Sequence, residues 1–287
     1  MKISGQAKLA AVVGNPIAQS LSPRIHAHWL EAYGIDGAYV PLLVRKEDFA
    51  VVLRGLRAAG FAGVNVTVPH KEAAFALAER HDRFSRESGA ANLLLFHGGI
   101  LEGRNADVTG LIASLTEALG ADGLRGKSTV VLGSGGAARA AVLALSALGA
   151  SEVRLVARNS ARAEQIARTC SLPASSTVQG FSWSTWPQHS TDIALLLNAT
   201  SAGMRGNAPL ALSLDALPRD AAVCDIVYNP LETPLLQQAR RRGHRVIDGL
   251  GMLMHQAVPA FEAFYGVRPV VSPSLRAELE EALRERA

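Results

Sequence analysis

The feature that most constrains the fold is a glycine-rich turn between a short apolar run and a helical run. Residues 128–133 read STVVLG, as a buried strand does, and residues 135–149 have the composition of a helix. Between them, Gly133-x-Gly135-x-x-Ala138 has the spacing of a dinucleotide-binding turn. Gly133 permits the tight turn, Gly135 lets a pyrophosphate approach the backbone, and Ala138 allows the helix to pack closely on the strand. We expect phosphate at this helix N-terminus; the alternative is a glycine-rich turn without a ligand.

The end of the following strand indicates which dinucleotide would bind. An NAD site has an acidic residue about 20 residues after the turn, where it binds the ribose 2′-hydroxyl. Here the strand ends EVRLVARNSAR, with Arg158 and Arg162 and no carboxylate. Guanidinium groups bind a 2′-phosphate, which a carboxylate would repel. The sequence therefore predicts NADP as the cofactor, although Arg162 by itself also suits a solvated helix position.

Short apolar runs alternate with helical runs along the chain. In the first half, strands are expected at 8–14, 38–44, 61–67 and 91–96, and helices at 22–34, 46–60 and 69–80. In the second half, strands are expected at 128–133, 152–158, 192–200 and 222–228. Strands separated by helices of this length are typical of parallel βαβ units. The pattern predicts an α/β protein.

The length of 287 residues suits two domains. We predict an α/β substrate-binding catalytic domain with a mainly parallel sheet over residues 1–107. A Rossmann-type NADP-binding domain is predicted over 108–247, and C-terminal helices over 248–287 are predicted to return to the first domain.

Composition excludes several classes of protein. With 48% hydrophobic and 19% charged residues, the chain is not a disordered one. Its two cysteines exclude a disulfide scaffold, and its eight histidines lack metal-ligand spacing, so no metal is expected. No apolar run reaches membrane-spanning length and no signal-peptide pattern stands at the start, so we expect a cytoplasmic protein without a membrane partner. The net charge of +4 is scattered, which favours a small anionic substrate over nucleic acid.

Polar residues follow the expected strand ends of the first half. Ser20 and Ser22 place two hydroxyls at a helix N-terminus, a site that suits a carboxylate, and Ser22 is expected to be the N-cap. Lys71 stands in the first turn of its helix, where the dipole opposes a cation and favours proton transfer. Lys71 and Asp107 could meet across a cleft that faces the nicotinamide. Taken singly, the serines and Asp107 are also compatible with simple helix caps, and Lys71 with an exposed lysine.

These motifs together resemble the shikimate dehydrogenase family over nearly the whole chain. In the first half, the resemblance lies in GNPI at 14–17, SLSP at 20–23 with His26, NVTVPHK at 65–71, GAAN at 89–92 and NAD at 105–107. In the second half, it lies in the glycine turn at 133–137, ARNSAR at 157–162, NATSAGM at 198–204, YNP at 228–230 with TPL at 233–235, and GLGML at 249–253 with Gln256.

The resemblance implies an NADP-linked interconversion of 3-dehydroshikimate and shikimate, a step of aromatic amino-acid biosynthesis. It implies that Lys71 and Asp107 form the catalytic pair, with Lys71 as proton donor and acceptor. The substrate residues that it implies are Ser20 and Ser22 for the carboxylate, and Thr67, Asn92, Tyr228 and Gln256 for the ring and its hydroxyls. The cofactor residues that it implies are Gly133, Ser134, Gly135, Gly136 and Ala137 for the diphosphate, Arg158 and Arg162 for the 2′-phosphate, and Ile226, Gly249 and Met252 beside the nicotinamide.

The chain departs from the usual family pattern next to these residues. Leu93 follows Asn92 where the family usually has Thr, and Ala106 and Val108 flank Asp107 where it usually has Thr and Gly. One alternative is therefore a family paralogue that acts on quinate or an aminoshikimate. Another, of a different class, is a non-catalytic sensor of NADP or a metabolite. A monomer and a homodimer are both compatible with the sequence.

Overall fold

The computed structural model describes residues 3–170 and 175–285, and its residues form two compact units. The first unit runs to Ala106 and includes Met254–Glu281, while the second comprises Asp107–Leu253 and the residues from Ala282 onward. The domain limits given above, 1–107, 108–247 and 248–287, remain a prediction.

The first unit is built on a six-stranded sheet. Its strands are β1 (Lys8–Gly14), β2 (Gly37–Leu43), β3 (Gly63–Val66), β4 (Arg80–His81), β5 (Leu93–His97) and β6 (Ile100–Arg104), in the order β2-β1-β3-β5-β6-β4. Its first four helices are α1 (Ser22–Ala32), α2 (Phe49–Ala58), α3 (Lys71–Leu77) and α4 (Arg83–Ser88). β1 lies parallel to both β2 and β3, as the helical connections between them require.

The strand predicted at 91–96 is present as β5, but it runs antiparallel to β3 and to β6. The expectation of a parallel βαβ unit was wrong there. The physical reason is a tight hairpin between β5 and β6, in which Gly98 and Gly99 adopt positive φ angles of 55° and 84°. Consecutive glycines are typical of such a two-residue turn because both central residues need positive φ.

The second unit contains a wholly parallel six-stranded sheet. Its strands are β7 (Ser128–Leu132), β8 (Glu152–Ala157), β9 (Thr177–Ser182), β10 (Leu195–Asn198), β11 (Ala222–Asp225) and β12 (Val246–Ile247), in the order β12-β11-β10-β7-β8-β9. Counted from its first strand this is the order 3-2-1-4-5-6, which defines the Rossmann fold. The predicted α/β class with a Rossmann-type domain is confirmed.

The α-helices that follow β6 in the described residues are α5 (Ala106–Leu119), α6 (Gly136–Ala147), α7 (Ser160–Thr169), α8 (Pro234–Arg241), α9 (Gly249–Tyr265) and α10 (Pro273–Arg284). The neighbouring inner strands β10 and β11 are buried at every position, as expected of parallel strands covered on both faces. Among residues 3–170 and 175–285, no helix is long and apolar enough to cross a membrane, and no cluster of three His, Cys, Asp or Glu side chains could hold a metal ion.

Candidate active site

The sheet of the first unit has a topological switch point between β1 and β3. From β1 the chain passes to β2 on one side and then to β3 on the other, and ligands of open α/β sheets bind beyond the carboxyl ends of such strands. The loops that leave β1 and β3 touch there: the Asn15 N–H donates to the Val68 carbonyl at 2.9 Å, and the Thr67 N–H donates to the Val13 carbonyl at 2.9 Å. The two motifs at 14–23 and 65–71 are therefore neighbours in space.

Ser20 and Ser22 lie at the N-terminus of α1, but their roles in the helix differ from the prediction. The helix begins at Ser22 itself and its N-cap is Leu21, which makes no side-chain capping bond. The expectation that Ser22 is the N-cap was wrong, because the Ser20 hydroxyl accepts the Ser22 N–H, at 3.3 Å. Both residues remain at the N-terminus of α1, where the helix dipole favours an anion.

Tyr39, which the sequence analysis did not select, connects two of the predicted substrate residues. Its hydroxyl donates to Asn65 Oδ1 at 2.7 Å and is also hydrogen-bonded by the Ser22 side chain. The Asn65 amide in turn donates to the Asn92 carbonyl at 3.3 Å. Burial raises the pKa of Tyr39 well above its usual value, so the phenol keeps its proton.

His26 lies directly behind this polar group. Its ring stacks on Tyr39 with centroids 3.7 Å apart, and it is completely buried. Burial lowers the pKa of His26 to about 3, so the ring is neutral at physiological pH. His26 therefore provides no positive charge that could attract a carboxylate.

Lys71 stands in the first turn of α3, as predicted, although the helix begins at Lys71 itself and not at 69. The structure fixes its backbone from two sides. The preceding residue, His70, is buried, hydrogen-bonded through Nε2 to the Val44 carbonyl at 2.8 Å and stacked on Phe49. The Lys71 carbonyl accepts the Ala91 N–H at 3.0 Å. These contacts anchor the backbone from which the Lys71 side chain extends. The side chain itself is half-buried.

Asn92 and Asp107 lie on either side of the start of α5. Asn92 is buried, and its Oδ1 accepts the Ala106 N–H at 2.7 Å, so it caps the helix. Asp107 is nearly buried in the first turn of the same helix, where the helix dipole stabilises a negative charge. Asp107 belongs to the second unit and Lys71 to the first; their pairing stays a prediction.

In the second unit, the glycine turn joins β7 to α6 as predicted. Gly133 has a φ of +119°, and a β-carbon there would lie 3.1 Å from Thr200 Cγ2. A β-carbon on Gly135 or Gly136 would meet nothing within 4 Å. Packing within the protein thus explains the glycine at 133 only, whereas the space beside the other two suits a diphosphate held against the backbone at the α6 N-terminus.

Arg158 and Arg162 lie around the start of α7. Arg158 directly follows β8, and both arginines are exposed. Asn159 lies between them as the N-cap of α7, and its Oδ1 accepts the Arg162 N–H at 3.0 Å. The end of β8 therefore presents two guanidinium groups and the N-terminus of a helix, which together suit a phosphate.

Ile226 and Tyr228 lie in the loop that follows β11, and both are half-buried. Gly249, the first residue of α9, packs against this loop so closely that a β-carbon would overlap the Ile226 carbonyl oxygen and lie 2.8 Å from the Val227 carbonyl carbon. The structure thus brings together Ile226 and Gly249, two of the three predicted nicotinamide residues. Met252 lies one turn further along α9, and Gln256 follows it in the part of α9 that belongs to the first unit.

Comparison with known proteins identifies relatives over almost the full length. A sequence model described as the shikimate dehydrogenase substrate binding domain matches residues 12–94. The shikimate dehydrogenase (NADP(+)) of Acidiphilium cryptum is 48% identical over 275 residues, which cover 96% of each chain. Among solved structures, shikimate 5-dehydrogenase of Thermus thermophilus in complex with NADP(H) and shikimate has a TM-score of 0.83 and 34% identity, covering 98% of this chain and 100% of that one. Quinate dehydrogenase of Corynebacterium glutamicum in complex with NAD has a TM-score of 0.86 and 28% identity, covering 95% and 99%.

Proposed function

This chain belongs to the shikimate dehydrogenase family, and on that premise we propose that it is an oxidoreductase that interconverts 3-dehydroshikimate and shikimate with NADP. The observation that carries the proposal is the 48% identity to an enzyme named for this activity, over 96% of both chains. The reaction belongs to aromatic amino-acid biosynthesis.

We propose that the loops at the first switch point bind the substrate. Ser20 and Ser22 hold the carboxylate with two neutral hydroxyls, assisted by the N-terminus of α1. Thr67 and Asn92 bind ring hydroxyls from the ends of β3 and β5, and Tyr228 and Gln256 contribute further contacts. Support comes from the hydrogen bonds that join the loops at 15–20 and 67–70.

Lys71 and Asp107 are proposed to act as the catalytic pair. When bound, NADPH supplies a hydride to the carbonyl carbon of 3-dehydroshikimate. The Lys71 ammonium gives its proton to the carbonyl oxygen, which becomes the hydroxyl of shikimate, and the Asp107 carboxylate orients and stabilises that ammonium. In the reverse direction the Lys71 amine accepts the hydroxyl proton. The anchored backbone of Lys71 and the position of Asp107 in a first helical turn support these roles.

The cofactor residues are proposed as follows. The diphosphate lies on the turn Gly133, Ser134, Gly135, Gly136 and Ala137, where the open space beside Gly135 and Gly136 supports the assignment. Arg158 and Arg162 bind the 2′-phosphate, and Ile226, Gly249 and Met252 line the nicotinamide.

A specific observation favours a second candidate, a preference for quinate. Ala106 stands where the family usually has a threonine, and the structure buries this residue, whose backbone N–H donates to Asn92 Oδ1. The absence of a threonine hydroxyl next to the site changes which hydroxyls of the substrate ring find a hydrogen-bond partner in the protein. The fold also matches that of a quinate dehydrogenase.

The test is a panel in which purified protein is offered shikimate, quinate and an aminoshikimate, each with NADP and with NAD, while the absorbance of the reduced cofactor is followed. We expect shikimate with NADP to give the highest kcat/KM. A higher value with quinate would support the second candidate. Calorimetric binding of NADP and shikimate without turnover of any of the three acids would overturn both candidates and favour a sensor.

We further propose that the protein acts in the cytoplasm as a monomer or homodimer. The NADP-linked biosynthetic reaction proposed above supports the compartment. Analytical ultracentrifugation of the purified chain measures its mass in solution and so distinguishes the two assemblies.

A further inference from the structure

Asp225 is a completely buried carboxylate at the carboxyl end of β11, and three donors converge on it. Its Oδ1 accepts the Asn198 side-chain amide at 2.9 Å and the Val227 N–H at 3.0 Å. Its Oδ2 accepts the Thr233 hydroxyl at 2.7 Å. Such a set of bonds is needed because a buried carboxylate without partners costs several kcal/mol.

Two of the donors lie at opposite ends of one loop, residues 226–233, which we call the β11 loop. Val227 stands near its beginning. Thr233 stands at its end, where its hydroxyl also accepts the Leu236 N–H at 3.3 Å and caps α8. Asp225 therefore holds the loop near both of its ends, and this loop carries Ile226 and Tyr228.

The third donor connects the same carboxylate to the glycine turn. Asn198 ends β10, the strand between β11 and β7, and its Oδ1 accepts both the N–H and the hydroxyl of Thr200, at 3.0 and 2.7 Å. The Thr200 methyl group packs against Gly133. One chain of contacts, buried at Asn198 and Asp225, thus runs from the proposed diphosphate turn to the β11 loop.

We propose that Asp225 is a positioning residue for the reaction: it holds the β11 loop so that Ile226 and Tyr228 stand correctly against the nicotinamide and the substrate. The inference rests on the function proposed above and adds a residue that acts through others, since Asp225 is buried beneath the loop. Small displacements of groups that orient a substrate reduce turnover more than affinity.

The charge of Asp225 is part of this role. Burial raises the pKa of Asp225 to about 6, against the effect of the bonds from Thr233, Val227 and Asn198, so the carboxylate is ionised at neutral pH. An asparagine has the same shape but lacks the charge, and its amide group cannot accept all three donors.

The variants Asp225→Asn, Thr233→Val and Thr233→Ser test the proposal, with Thr129→Val as the matched control. Thr129 is also a fully buried threonine of the second unit, and its hydroxyl donates to the Glu152 carbonyl at 3.1 Å. It lies near the amino end of β7, away from the β11 loop. Thr129→Val removes one buried hydroxyl hydrogen bond, and Thr233→Val removes the bond to Asp225 together with the capping bond from the Leu236 N–H.

We expect Asp225→Asn and Thr233→Val to lower kcat for shikimate oxidation with NADP by roughly 10- to 100-fold, since misplaced groups cost rate. Thr233→Ser retains the hydroxyl and should restore kcat. The Kd of a 2′-phosphoadenosine fragment, measured by calorimetry, should change by less than about three-fold, because Arg158 and Arg162 share no partner with Asp225. Thr129→Val should lower Tm without lowering kcat.

A lower Tm with unchanged kcat for the folded Thr233→Val protein would overturn the inference, and this variant decides alone if Asp225→Asn does not fold. Equal kcat values for Thr233→Ser and Thr233→Val would also overturn it. Failure of the proposed function looks different: neither the native protein nor Thr129→Val would then turn over shikimate with NADP, and the inference would fall with it.

Discussion

The backbone N–H of Asn15 donates to the carbonyl oxygen of Val68 at 2.9 Å, and this bond fastens the loop after β1 to the loop after β3. Gly14, just before Asn15, lies against the second loop with no room for a side chain: a β-carbon there would overlap Cγ2 of Thr67 and lie 3.2 Å from the Val68 carbonyl oxygen. Two segments about fifty residues apart in sequence therefore form one surface, and each holds the other in place.

Gly14→Ala should displace Thr67 and weaken substrate binding. The added methyl group overlaps a side chain that is itself proposed to bind the substrate, so the KM for shikimate should rise by about ten-fold, the effect of losing one hydrogen bond of ordinary strength. The Kd of NADP should stay unchanged. Steady-state kinetics and calorimetry measure the two quantities.

The control for this substitution is Gly55→Ala. Gly55 lies within α2, where a β-carbon would meet nothing within 4 Å, and alanine is preferred to glycine inside a helix. This variant should keep the native KM and gain slightly in stability. If Gly14→Ala also keeps the native KM, the contact with Thr67 does not position a substrate group.

Lys71→Ala should remove the proposed proton donor and acceptor. We expect kcat to fall by roughly two to four orders of magnitude, the usual contribution of a general acid, while the Kd of NADP changes little. Lys127→Ala is the control, because Lys127 is exposed and immediately precedes β7 at the amino edge of its sheet. A Lys71→Ala protein with native kcat would rule out the role assigned to this amine.

Arg158→Ala should alter the choice between the two nicotinamide cofactors. Loss of a charge-assisted bond to the 2′-phosphate should weaken NADP binding by roughly 10- to 100-fold. NAD lacks this phosphate, so its Kd should change much less. Arg125→Ala is a control from the same unit, since Arg125 is exposed and pairs only with Asp122 among the contacts described. Equal losses for NADP and NAD would mean that Arg158 does not read the 2′-phosphate.

The parts of the site that could be predicted from sequence are local ones. The glycine turn is made of a few consecutive residues, and Pro69 stands two residues before Lys71, the first residue of α3. Both features therefore follow from short segments. Arg158 and Arg162, which follow β8 within five residues of each other, predict NADP from a short segment in the same way. None of these features depends on which strands are neighbours.

The contacts that escaped the sequence analysis depend on strand order and register. Tyr39 pairs with Ala10 and Asn65 pairs with Val12, so their side chains lie on one face of strands that flank β1, and the phenol reaches across the small Ala10 to Asn65. Nothing in the run AYVPLLV indicates this, because the partner of Tyr39 lies two strands away in the sheet. Asp225 was missed for the same reason: its partners come from β10 and from both ends of the β11 loop.

His26 should make the protein sensitive to acid. Its ring is completely buried, and neither ring nitrogen has a hydrogen-bond partner among the residues that the structure describes. Burial lowers the pKa of His26 from 6.5 to about 3. The unfolded chain therefore binds a proton below about pH 6.5 that the folded protein does not, and stability present above that pH is lost as the pH falls toward 3. Between about pH 7.5 and pH 5 this residue alone should cost about 2 kcal/mol.

His26→Leu should remove that cost, because leucine has no group to protonate and leaves no buried nitrogen unpaired. Urea unfolding at the two pH values measures the difference: the free energy of unfolding of His26→Leu should fall less than that of the native protein on acidification. His97→Leu is the control, since His97 is exposed at the end of β5 and its ring is in water both before and after unfolding. The same decrease in His26→Leu as in the native protein would show that protonation of another group governs acid unfolding.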